Sequence, residues 1–117
     1  MSGNPVAPEM QFVETVRTAA RKHILYLPHA IDQMNASDEM ITTEEVRAVI
    51  FDGEIIEDYA EDARGHSCLM LGHSPGIKRP IHIVCSPKDE YLAIITAYLP
   101  DPAKWSPDFR KRVEKPL

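Results

Sequence analysis

His82, Thr96 and Tyr98 are the side chains whose types and spacing most invite chemistry in this 117-residue chain. An imidazole titrates near neutral pH and serves as acid, base or hydrogen-bond donor. A phenol and a hydroxyl beside it can orient a base or donate to a phosphate oxygen. Whether the three meet depends on parity. Residues 81–86 and 91–99 read as consecutive strands, and a three-residue turn at Pro87-Lys88-Asp89 sets Ser86 opposite Glu90 and His82 opposite Ile94. Alternate residues then share a face. One face collects Ile81, Ile83, Cys85, Ala93, Ile95, Ala97 and Leu99; the other collects His82, Val84, Leu92, Ile94, Thr96 and Tyr98. A turn one residue longer mixes the sets, which a buried face disfavours. His82, Thr96 and Tyr98 are therefore expected together on the face away from the helices. The plainer reading is that they are half-buried strand residues with wet polar tips.

His29 is a second candidate, at the start of a short helix beside Leu27, Ala30 and Ile31; a packed or capping role is the alternative. No metal site is expected. His82 and Cys85 point to opposite strand faces, and the chain has neither a C-x-x-C pair nor H-E-x-x-H. Cys68 and Cys85 read as small apolar strand residues. Gly72-His73-Ser74-Pro75-Gly76 lacks the lysine and following helix of a phosphate loop, and no G-x-S-x-G elbow is present. No cofactor is called for. The acids Glu54, Glu57, Asp58, Glu61 and Asp62 read as a solvated strand edge that discourages aggregation, with a divalent-cation site as the alternative. Arg110, Lys111 and Arg112, with Lys104 and Lys115, read as the exposed side of a short helix, or as cations for a phosphate or an acidic partner.

The elements that must position these residues follow from periodicity. Residues 1–7 form a flexible tail, and residues 8–117 a single α+β domain. A first helix runs over residues 8–23, with Pro8 at its first position and an apolar stripe of Phe12, Val13, Val16, Ala20 and Ile24. A short second helix covers residues 27–34. The third begins at a capping box, Thr42 with Glu45, and a hydrophobic staple, Ile41 with Val46. Gly53 ends it as a left-handed residue. Four strands follow, at residues 54–59, 67–73, 81–86 and 91–99. Short gaps make them an antiparallel meander. A last short helix starts near Ser106, with Trp105 docking it on the sheet. Two to three N-terminal helices thus pack on one face of a four-stranded antiparallel sheet.

The net charge of −5 is unevenly spread. Residues 38–62 hold ten acids and one base, and the remainder carries +4. That balance argues against a general nucleic-acid binder but leaves room for a local basic face. No apolar run approaches the ~20 residues of a membrane span. The first residues lack the basic and apolar regions of a secretory signal, so a cytoplasmic setting with reduced thiols is expected.

Several segments carry a resemblance to a known family: His29-Ala30 at a helix start, Ile41-Thr42-Thr43-Glu44-Glu45-Val46, Gly53-Glu54-Ile55-Ile56-Glu57-Asp58-Tyr59, Ser67-Cys68-Leu69-Met70-Leu71-Gly72, Arg79-Pro80-Ile81-His82-Ile83-Val84, and Ile95-Thr96-Ala97-Tyr98-Leu99-Pro100-Asp101 before Trp105. Over residues 27–112 the chain resembles the bacterial domain-of-unknown-function family 4258. That family looks related to the RelE-like and BrnT-like ribonuclease fold of toxin–antitoxin systems. The resemblance implies an active site on the exposed sheet face and carries it onto His29, His82, Thr96 and Tyr98. One position departs: where many relatives carry Arg, this chain has Gln33, which lacks the fixed fork of a phosphate clamp.

Two functions follow as expectations. In metal-independent RNA cleavage, His29 and His82 would serve as base and acid, Tyr98 and Thr96 would position the phosphate, and Arg79, Arg110 and Arg112 would supply charge, with RNA or a ribosome as target. Alternatively, the fold is a non-catalytic module that meets an antitoxin-like protein, or a second copy of itself as a homodimer, through the sheet face or the C-terminal helix.

Overall fold

The computed structural model describes residues 8–113. The expected tail, residues 1–7, and Lys115 lie outside that range. The element order is α1 (Pro8–Lys22), β1 (Ile24–Tyr26), α2 (Pro28–Met34), α3 (Thr43–Asp52), β2 (Glu54–Tyr59), β3 (Ser67–His73), β4 (Pro80–Pro87) and β5 (Leu92–Tyr98). The architecture is α+β, but the sheet has five strands in the order β1-β5-β4-β3-β2. Strands β2 to β5 form the expected antiparallel meander. The added strand β1 pairs parallel with β5, Leu25 standing opposite Ala93, so the sheet is mixed. Its three residues are too few to show an alternation, and their partner lies far along the chain.

The three helices cover one sheet face. Val16, Ala19 and Ala20 of α1, Ala30 and Met34 of α2, and Val46, Val49 and Ile50 of α3 share one buried cluster with Cys68, Met70, Ile81, Ile83, Cys85, Leu92, Ile94 and Ala97. Burial of these apolar side chains is the main drive for holding the layers together.

The capping box forms: Glu45 N–H donates to Thr42 Oγ1 at 3.1 Å, and Thr42 N–H donates to Glu45 Oε1 at 3.0 Å. The staple residues Ile41 and Val46 are both buried in the core. Gly53 corrects an expectation. Its φ is −86° and ψ −165°, an extended backbone rather than a left-handed one. Glycine is required there because a Cβ would stand 2.5 Å from the carbonyl oxygens of both Leu71 and Val49. The helix end and β3 pass too closely for any side chain.

The expected C-terminal helix is also corrected. Beyond β5 the described chain has turns and bends, closed by an isolated antiparallel bridge between Trp105 and Arg112. Ser106 N–H donates to Lys111 O at 2.7 Å, and Phe109 takes a left-handed φ of 62°. Asp108 accepts from Ser106 Oγ and from Arg110 N–H, which favours a tight turn over a helical start. This strap crosses the sheet face that the helices leave open.

Candidate functional site

On that face, His82 and Tyr98 stand directly opposite one another, four residues from the expected register. Two compensating changes produce this. The β4–β5 turn is longer than three residues, with Pro87 opposite Leu92 and Lys88 N–H donating to Tyr91 O. A bulge at Ile95 then restores parity, because Val84 faces Thr96 whereas Cys85 faces Ile94. The expected face sets are therefore right beyond the bulge and inverted before it. Leu92 and Ile94 join the helix-side core, while Thr96 and Tyr98 share the open face with His82 and Val84.

The open face is not open at His82. Its imidazole is 0% exposed. Trp105 stands edge-on to it with ring centroids 4.4 Å apart, and Tyr98 edge-on at 5.3 Å. Nε2 lies 2.9 Å from the carbonyl oxygen of Phe109, and Nδ1 lies 3.1 Å from Tyr98 Oη. A carbonyl only accepts, so Nε2 carries the proton, and neutral Nδ1 accepts from the Tyr98 hydroxyl. Burial pushes the His82 pKa below 6.5, outweighing the upward pull of the Phe109 carbonyl and Glu57; Arg112 adds to the lowering. Burial also raises the Tyr98 phenol.

Acids of β2 and bases of the strap tie the roof down. Arg110 donates from Nε and Nη2 to Glu54 at 2.6 and 2.9 Å, and Arg112 from Nε and Nη2 to Glu57 at 2.9 and 3.0 Å. Such two-pronged pairs fix geometry as well as charge. The Arg112 guanidinium also lies over the Trp105 ring, 4.8 Å from its centroid. Burial works to raise the Glu57 carboxyl, but hydrogen bonds from Arg112 and Tyr59 bring it below the usual range. Burial and the bond to Glu57 push the Tyr59 phenol up to about 12.

The other candidates stand apart from this cluster. His29 is exposed on α2, whose buried residues Ala30 and Met34 belong to the helix-side core. Thr96 is half-buried beside Val84. Arg79 grips the α2–α3 connection: it donates to both oxygens of Glu45 at 2.8 Å and to the carbonyls of Glu39 and Met40 at 2.9 and 3.0 Å. Arg79's hydrogen bond leads in holding the Glu45 carboxyl below its ordinary value. Gln33 Oε1 accepts from Ala97 N–H at 3.0 Å, satisfying β5 beyond the end of β1. Arginine has no acceptor and could not do this. Among the described residues, no group of three or more His, Cys, Asp or Glu is arranged to hold a metal ion.

Sequence reasoning placed Trp105 on the sheet but gave the Phe109 carbonyl, Glu57 and Tyr59 no part in the cluster. The visible signal was charge: Glu54 and Glu57 on one strand, Arg110 and Arg112 on a later segment.

A family model described as Domain of unknown function (DUF4258) matches residues 26–99. No curated protein and no solved structure matches the chain. The matched span contains His29, Arg79, His82, Thr96 and Tyr98 and stops short of the strap.

Proposed function

The chain belongs to the family described as Domain of unknown function (DUF4258), and from that premise we propose that it works as a non-catalytic protein-binding module. One observation carries this reading: His82 is sealed beneath the strap with both ring nitrogens engaged. A general base or acid must reach the proton it moves, directly or through one water. The cations point the same way, because Arg79, Arg110 and Arg112 are each paired with a carboxylate. A phosphate would have to displace those partners.

RNA cleavage is the second reading, favoured by the direct His82–Tyr98 hydrogen bond on one sheet face. It carries with it the RelE-like and BrnT-like relationship, a toxin–antitoxin setting in the cytoplasm and an antitoxin-like partner. It requires the strap to lift, freeing His82 and the two arginines together. Purified protein incubated with total RNA and with translating ribosomes separates the readings. The binding-module reading expects no cleavage above that of a His82→Ala control. Cleavage abolished by that substitution, in a variant that still folds, would establish the nuclease instead.

A further inference from the structure

The strap covers the sheet face at His82, which leaves the helix side as a further surface. That surface has two joined parts. Tyr26, Ile31, Met34, Asn35 and Thr43 line an apolar groove of about 190 Å³ where β1, α2 and α3 meet. Ile31 at its rim is 43% exposed. Thr43, Arg47 and Phe51 follow at four-residue spacing on α3, so they form one stripe leading away from the groove. The charge of Arg47 lowers the Tyr26 phenol of the groove against the larger rise from burial. Arg47 and Arg21 both lie over the Phe51 ring, at 5.2 and 5.9 Å from its centroid. Neither makes a salt bridge among the described residues, in contrast to Arg64, Arg79, Arg110 and Arg112.

We infer that this surface docks an acidic amphipathic segment of a protein partner, with an apolar side chain in the groove and carboxylates on Arg47 and Arg21. The inference rests on the binding-module reading and names its partner class. Arg47 is the one base among the ten acids of residues 38–62, so the complementarity that commits the surface to an acidic occupant is with the Arg47 and Arg21 guanidiniums alone and not with the charge of the segment. The groove supplies an apolar anchor point, and the aromatic-backed guanidinium pair supplies the planar, two-pronged donors that carboxylates match. A nucleic acid would use the cations but has no apolar side chain for the groove.

A displayed library of random peptides, selected on the full chain, tests this. The expected binders combine one bulky apolar residue with several Asp or Glu. Synthetic peptides of the enriched sequences should lose about tenfold or more in affinity to Arg47→Glu and to Ile31→Asp. Arg47→Lys should retain part of the affinity, and added salt should weaken it. Both altered side chains are exposed, and a thermal melt checks that each variant remains folded. Enrichment of basic or uncharged peptides, no enrichment over bare support, or acidic peptides that bind both variants unchanged would overturn the proposal. So would binding of a labelled single-stranded RNA that Arg47→Glu abolishes, or a wild-type dimer that Ile31→Asp dissociates. RNA cleavage by the wild type would defeat the binding-module reading separately, because it reads His82 and not the groove.

Discussion

Two ring nitrogens determine how His82 behaves. In the neutral form Nε2–H meets the Phe109 carbonyl and Nδ1 meets the Tyr98 hydroxyl. Truncation to alanine leaves that carbonyl without its donor and opens a space against Trp105. We expect His82→Ala to cost about 2–4 kcal/mol in urea unfolding. The same site sets a pH dependence. The folded pKa lies below the ordinary 6.5, so the unfolded chain binds the proton more readily. The contribution of neutral His82 is fully present above about 6.5 and is lost as pH falls from there through the folded value. The depressed carboxylates Glu45 and Glu57 act in a lower window, below about 4.5. Unfolding free energies measured across pH should therefore begin to fall near 6.5 in the wild type. In His82→Ala that first decline should be absent, while the second remains.

At the scale of elements, close approach matters more than local propensity at one junction. Gly53 has an ordinary φ, but a Cβ there would meet two carbonyl oxygens at 2.5 Å. Gly76 has a φ of 81° and nothing within 4 Å of its Cβ position. Gly53→Ala should cost about 3 kcal/mol or more, since backbone on both sides must shift. Gly76→Ala should cost only about 1–2 kcal/mol, the penalty of the left-handed conformation. Thermal melts of the two variants rank them. The legibility of the fold follows the same division. The three helices, the capping box and the four meander strands are written in short-range signals: period, caps and turn residues. β1 rests on pairing with a distant strand, and Gly53 on the passage of a neighbouring strand, which no local pattern records. The shared face of His82 and Tyr98 was legible from alternation, but the register was not. A longer turn and the Ile95 bulge offset one another in parity, so the right face followed from the wrong pairing.

At the scale of the whole molecule, the sheet is covered on one side by three helices and on the other, at His82, by the strap. Its ion pairs are exposed and screened by solvent, so they fix position more than they stabilise. Trp105, 5% exposed against His82, is the anchor. Trp105→Ala should lower stability by about 3–5 kcal/mol, while Arg110→Ala should leave the melting curve close to wild type. The strap is also why the site was only partly legible. Ser106-Pro107 resembles a helix start, yet Asp108 takes the hydrogen bonds that make a turn, and the roof over His82 arises from that difference. The central claim is that His82 is a sealed, neutral structural hub and not an accessible reaction centre. A nitrogen-15 NMR titration of the imidazoles tests it most directly. The predicted result is a slowly exchanging Nε2–H, an unprotonated Nδ1 and a titration midpoint below 6.5 that moves upward in Trp105→Ala. A His82 ring with rapidly exchanging protons and a midpoint at or above 6.5 in the folded wild type would contradict it.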